Sequence, residues 1–179
     1  MFFGAVSQFV RRSAVHRGGR PLGTVARGLF NRHNIANATV AADTTACAHG
    51  IQVHDDFAHH PTAIAATLRG LRAHVSPARV VVVLEPRSNS MRAGVHRDAL
   101  AGALAEADLA VILLRPDLPW DATALLAALG ARAVAAPDVD TLLEVLEAQT
   151  RPGDHVLFMS NGDFGAAPLR FARGTPART

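Results

Sequence analysis

The chain has 179 residues, 49% hydrophobic and 18% charged, which is enough for one domain around a core and too apolar for a wholly disordered chain. All 18 basic residues are arginine. Without lysine the chain supplies neither the lysine of a phosphate loop nor a Schiff-base amine. The single cysteine, Cys47, excludes an internal disulfide framework and a cysteine-built zinc cage. No run of about 18 apolar residues is present, which argues against a membrane span.

The charge is uneven. Residues 1–50 hold six arginines and one acid, Asp43, whereas residues 51–179 hold 12 arginines and 14 acids. Basicity therefore belongs to an N-terminal arm, 1–50. Such an arm can hold an anionic surface. Its arginines lack regular spacing, though, and its aromatics (Phe2, Phe3, Phe9, Phe30) do not interleave with them, so nucleic acid is not expected as a partner. By composition the start also looks like a transit peptide. The reading preferred here is an extension without regular structure.

From residue 51, short apolar runs alternate with segments of helical period. Ile51–Val53 is a brief strand. Pro61 opens a helix over Thr62–His74, with Ile64, Leu68, Leu71 and Val75 on one face; proline is tolerated in the first turn because its missing N–H has no partner there. Ser76-Pro77 stops it. Val80–Leu84 reads as a strand and Val95–Ala107 as a helix. Leu109–Leu114 reads as a strand closed by Arg115-Pro116. Asp121–Leu129 is a short helix with Asp121 as N-cap and Gly130 as stop. Ala131–Ala135 is a weak strand, Asp138–Gln149 a helix, Arg151–Asp154 a turn, Val156–Met159 the last strand and Phe164–Ala172 a final helix. Strands apolar on every residue are those buried on both faces of a parallel sheet. With right-handed crossovers the expectation is an α/β, Rossmann-like, doubly wound, mainly parallel sheet with helices on both faces.

Ligands of such sheets gather beyond the carboxyl ends of the strands. That selects four loops, His54–His60, Glu85–Met91, Arg115–Trp120 and Ser160–Phe164, and these also hold the most unusual residues. His54-Asp55-Asp56-Phe57-Ala58-His59-His60-Pro61 leaves a strand and enters a helix. Its carboxylates suit sugar hydroxyls or a divalent ion, and Asp56 suits equally well the cap of the helix. The spacing matches no zinc motif. In Glu85-Pro86-Arg87-Ser88-Asn89-Ser90-Met91-Arg92, Arg87 is fit to bind a carboxylate or phosphate, or else to pair with Glu85. Ser160-Asn161-Gly162-Asp163-Phe164-Gly165 is a small-residue turn between strand and helix, an anion cradle or simply a tight turn. In the arm, Asn34 and Asn37 fall on one face of a helix, and amides can read an adenine edge.

Taken together these residues resemble the Mur ligases of bacterial cell-wall synthesis, and in particular their peptidoglycan-recycling branch. The resemblance is carried by DDFAHHPTAI (55–64), LEPRSNSM (84–91) and MSNGDFG (159–165), and runs from about residue 51 to 172. It implies the family's Rossmann-like C-terminal domain over 51–179, which closes over a central ATPase domain and helps receive the incoming amino acid or peptide. By the same resemblance, Asp56 matches the aspartate that holds the nucleotide ribose, and His59 and His60 lie near the nucleotide. Arg87, Ser88 and Asn89 fall where the peptide is met, with Asn161 on a neighbouring loop; Arg87 is also the candidate catalytic group. Phe30 to Ala42 resembles the HNxxN helix of the central domain, in which Asn34 and Asn37 match residues that contact adenine. The implied cofactors are ATP and Mg2+. The implied partners are the tripeptide L-alanyl-γ-D-glutamyl-meso-diaminopimelate and UDP-N-acetylmuramate, and the implied location is cytoplasmic.

The departures bear on function. The sugar-nucleotide domain, the Gly-Lys-Thr phosphate loop and the magnesium-site lysine have no counterpart in the chain. Only Asp43 to His54 separate the HNxxN stretch from DDFAHHP, and an arginine expected between them is missing. Asp163 and Ala166 stand where the family has glycine. The reading is a C-terminal domain inactive in ligation alone, with missing Mur domains supplied in trans as one route to activity. A stand-alone peptide- or nucleotide-binding module, or a remnant without function, are the other readings.

Overall fold

The computed structural model describes residues 10–17, 20–28 and 44–174. The sequence Val80-Val81-Val82-Val83-Leu84 sets the centre of the fold. β-branched side chains stiffen at χ1 and fit an extended backbone. Every residue of this strand, β5 (Val80–Leu84), is buried, so both of its faces are covered. Val80, Val82 and Leu84 pack on one side and Val81 and Val83 on the other, in two separate apolar clusters.

Around β5 the sheet has the order β3-β4-β8-β5-β6-β7, from β3 (Thr44–Ala48), β4 (Ile51–Asp56), β6 (Leu109–Leu113), β7 (Ala133–Ala136) and β8 (His155–Met159). β4, β8, β5, β6 and β7 are parallel, and β3 runs antiparallel to β4 on the edge. From β4 to β7 the chain steps across the sheet in one direction. The intervening helices α1 (Pro61–Val75), α2 (Asn89–Arg92), α3 (Arg97–Ala103) and α4 (Thr123–Leu129) all contribute to one cluster. From β7 the chain turns back to place β8 between β4 and β5. A right-handed crossover in that direction lies on the opposite face, and α5 (Val139–Gln149) and α6 (Ala167–Arg173) pack there. The expected doubly wound α/β sandwich is therefore present, with the four selected loops at the carboxyl ends of its strands.

The helices form for the reasons their sequences suggest. In α1, Ile64, Leu68 and Leu71 recur on the buried side and are at most 3% exposed; burial of each such side chain stabilises by about 1.5–3 kcal/mol. Asp138 caps α5, its Oδ1 accepting the Thr141 N–H at 2.7 Å. Asp121, expected as the N-cap of α4, stands one residue before it: the cap is Ala122, and Asp121 accepts both the N–H and the hydroxyl of Thr123. Charged groups at the amino ends of the strands are bound into the fold. Asp108 accepts the Val80 N–H at 2.7 Å and a hydrogen bond from Arg72, and Asp154 accepts from Arg79 at 2.9 Å.

Several details differ from expectation. The helix expected over 95–107 is confined to Arg97–Ala103, because Gly94 turns at positive φ before it and the chain must turn again after Leu104 to enter β6. The sheet begins at Thr44, ahead of residue 51, where the sequence places the start of the domain. In the arm, β1 (Val10–Arg17) and β2 (Arg20–Gly28) pair as an antiparallel hairpin where no regular structure was expected. Asn34, Asn37 and the rest of the HNxxN stretch lie outside the described residues. Among the described residues, no helix is long and apolar enough to cross a membrane.

Candidate functional site

Glu85 follows β5 directly and is 3% exposed. A buried carboxylate needs partners, and three loops supply them. Oε2 accepts the Ser160 hydroxyl at 2.6 Å, Oε1 accepts Arg115 Nη2 at 3.2 Å, and Arg87 Nη1 lies 4.0 Å from Oε1. Ser160 is itself a junction. Its N–H donates to the Asp56 carbonyl, and its Oγ accepts the Gly162 N–H at 3.0 Å. The ends of β4, β5, β6 and β8 are thereby fastened into one polar edge.

Arg87 extends from this edge. It donates to Asp163 at 3.4 Å and is about half exposed. Its side chain lies against Gly162 so closely that a Cβ there would stand 2.7 Å from Cδ and Nε. Beside Gly162, Asn161 Oδ1 is buried and accepts no hydrogen bond among the described residues. Arg92 donates to Asp117 at 3.1 Å. A cleft of about 210 Å³ opens between these groups, lined by Glu85, Arg87, Arg92, Arg115 and Asp117 over the apolar Leu113 and Leu118. Three guanidinium groups line the cleft beside Glu85 and Asp117, with Asp163 paired to Arg87 at its rim, and their unused N–H donors suit an anion.

On the neighbouring loop, burial pushes the Asp56 carboxyl above its usual range, against the Ala58 N–H and a Thr67 hydrogen bond that lower it. Its Oδ1 takes the Ala58 N–H at 2.7 Å. Asp56 does not cap α1; His60 does, its Nδ1 accepting the Thr62 N–H. The His60 ring also meets His96 edge to face at a centroid distance of 4.2 Å. Burial, then the neighbouring His96 and His59, hold the His60 imidazole below its ordinary range. His59 Nδ1 bonds the Phe57 carbonyl, and the Phe57 ring is 53% exposed beside it.

The sequence candidates thus divide. Arg87 and Asn161 come together on adjoining loops, and Asp56 reaches them through Ser160. Ser88 is drawn into capping α2, its Oγ accepting the Met91 N–H, while Asn89 is exposed on the first residue of that helix. His54, expected in the loop, is instead buried within β4, where Nε2 stands 2.9 Å from His155 Nδ1. Glu85 enters the sequence reading only as a mate for Arg87, and Arg115 and Ser160 have no role there, although each begins a loop that topology selects.

The model of the Mur ligase family's glutamate ligase domain matches residues 43–162. The chain belongs to that family. It is 48% identical over 128 residues to the UDP-N-acetylmuramate–L-alanyl-γ-D-glutamyl-meso-2,6-diaminoheptandioate ligase of Escherichia coli (strain K12), covering 71% of this chain and 28% of that protein. A domain described as belonging to the corresponding ligase of Haemophilus ducreyi superposes with a TM-score of 0.63 at 40% identity, covering 74% of this chain and 97% of that one. The murein peptide ligase of Psychrobacter arcticus gives a TM-score of 0.65 at 31% identity, covering 77% of this chain and 30% of that one. The matched segment corresponds to the Mur ligase C-terminal domain and is similar to that of the murein tripeptide ligases. It spans 28% and 26% of the length of the first two curated relatives it matches.

Proposed function

We propose that this Mur ligase domain receives the tripeptide L-alanyl-γ-D-glutamyl-meso-diaminopimelate for attachment to UDP-N-acetylmuramate, with Arg87 holding a peptide carboxylate. The observation that carries this reading is the cationic cleft at the ends of β5 and β6, where Arg87 is half exposed and held in place by Gly162 and Asp163. A planar guanidinium binds a carboxylate through two parallel hydrogen bonds, which gives orientation as well as affinity. Asn161 stands beside Gly162 with its Oδ1 buried, so its part in this reading is to shape the loop against which Arg87 lies. Ser88 and Asn89 act more through the loop, by starting α2, than by contact.

ATP and magnesium enter by relationship to the family. The residues present fit the nucleoside end of ATP. Asp56 offers carboxylate oxygen for ribose hydroxyls, Phe57 offers an exposed ring, and His59 and His60 flank them. They do not fit the triphosphate and its metal. The chain has no lysine, and the described residues contain no group of three His, Cys, Asp or Glu side chains able to hold an ion. We infer that the 179 residues do not ligate by themselves and that the phosphate-loop and metal chemistry lies outside them.

Calorimetric titration of the purified chain with the tripeptide tests the reading. Binding that is lost in Arg87→Ala is expected; an unaltered, folded chain that gives no heat would refute the peptide role. Ligation product formed from ATP, UDP-N-acetylmuramate and tripeptide by this chain alone would refute the inference of inactivity.

A further inference from the structure

The geometry points to Arg115 as a second carboxylate-binding residue, so that the cleft grips two carboxylates of one peptide at separate guanidinium groups. The proposal rests on the peptide reading above. Glu85 is the only carboxylate that Arg115 meets among the ion pairs of the described residues, and it is shared: Oε1 takes Arg115 at 3.2 Å and stands 4.0 Å from Arg87, while Oε2 is engaged by Ser160. One negative charge thus serves two guanidinium groups. The bond to Glu85 is the one side-chain hydrogen bond found for Arg115 among the described residues, out of five N–H donors in a guanidinium. Its side chain is 40% exposed and lines the cleft beside Arg87. Arg92, the third cation of the cleft, is committed to Asp117, donating to both its carboxylate and its carbonyl.

Arg115 is also well held. Glu85 cannot turn to follow a ligand, because it is buried and its second oxygen is fixed at 2.6 Å by the Ser160 hydroxyl. The Ser160–Glu85 pair therefore aims Arg115 at the cleft, and the floor of Leu113 and Leu118 reduces the solvent that would screen it. The tripeptide has three carboxylates, one on the γ-linked glutamyl residue and two on diaminopimelate. Arg87 alone accounts for one of them. Arg115 is a specificity-determining residue for another.

The test compares four peptides on the full 179-residue chain. They are the tripeptide and three analogues in which each carboxylate in turn is absent: the glutamyl α-carboxamide, lysine in place of diaminopimelate, and the C-terminal carboxamide. Arg115→Met should weaken tripeptide binding about tenfold, in the range of a lost charge-assisted hydrogen bond. That loss should vanish for one analogue, and the loss in Arg87→Met should vanish for a different one. Arg115→Lys, which keeps the charge but not the fork, should recover part of the affinity, and thermal unfolding confirms that each variant is folded. The proposal is overturned if Arg115→Met binds all four peptides like the parent, if it weakens all four equally, or if one analogue silences both variants. Tripeptide binding that needs Arg87 but not Arg115 overturns this proposal and leaves the peptide reading standing; no binding by the parent chain overturns both.

Discussion

Replacing Ala166 by glycine should stabilise the protein. The loop from β8 to α6 contains three successive residues in the left-handed region, Phe164 at φ 52°, Gly165 at φ 57° and Ala166 at φ 56°. For an L-residue with a Cβ this conformation costs roughly 1–2 kcal/mol. It persists because Phe164 is 2% exposed and packs edge to face on Phe158 at 5.7 Å, which anchors the turn from within. Ala166 is exposed, so its methyl contributes little packing, and it sits at the N-cap of α6 without a side-chain hydrogen bond. Glycine is better than alanine at an N-cap. Against the relieved strain stands the greater freedom of glycine in the unfolded chain, about 0.4–1 kcal/mol. The difference is a net gain of about 0.5–1 kcal/mol, which raises Tm by about 1–4 °C for a chain of this size. Circular dichroism melts of parent and Ala166→Gly, run at one pH, measure it. The reverse control is Gly165→Ala, whose new Cβ would be left-handed and 3.2 Å from Val139 Cγ2, and which should melt lower than the parent. An unchanged or lowered Tm for Ala166→Gly would refute the assignment of strain to this turn.

Two further outcomes follow from the same geometry. His155 is held below the ordinary imidazole range, first by burial and then by the neighbouring His74, with Asp154 pulling the other way. A depressed folded-state pKa contributes stability that is fully present above the unfolded value of about 6.5 and lost as pH falls through the folded value. Tm should therefore drop as pH is lowered through this range, and His155→Gln should reduce the drop; equal slopes for the two proteins would show that His155 is not responsible. Gly162→Ala places a Cβ against the Arg87 side chain rather than against backbone. It should weaken tripeptide binding severalfold while Tm stays within about 2 °C of the parent, since an exposed substitution of this kind changes stability little. A variant that binds as tightly as the parent would separate the close approach of Gly162 from the function of Arg87.

The fold was legible where one physical signal dominated. Val80–Leu84 and Leu109–Leu113 are apolar on every residue and are buried strands; Pro61 with Ile64, Leu68 and Leu71 marks a helix whose first turn and buried face are both visible in the letters. Signals that depend on distant partners were weaker. β3 is a strand because β4 pairs with it from the edge, and Thr-Thr-Ala-Cys-Ala has no alternation that would show this. The helix over Arg97–Ala103 is shorter than its apolar pattern because Leu104 and Ala107 remain buried after the helix has ended. Burial, not helicity, sets that spacing.

The site shows the same division. Arg87 and Asn161 were visible because each sits in a loop that topology places at the carboxyl edge, within a local run of polar residues. Arg115 closes a strand next to a proline, and nothing near it in sequence sets it apart. Its meaning comes from Glu85, 30 residues earlier, and from Ser160, 75 residues beyond that glutamate. Glu85 read as a possible mate for Arg87 along one loop, yet its shorter contact is with Arg115, at 3.2 Å against 4.0 Å. That ordering is what frees Arg87. Arg87 is left with an exposed acid, Asp163, as its nearer partner, and keeps donors for a ligand. The parallel sheet thus does more than gather loops: by bringing β5, β6 and β8 side by side, it sets one buried acid between two arginines, whose remaining N–H donors a peptide carboxylate can meet.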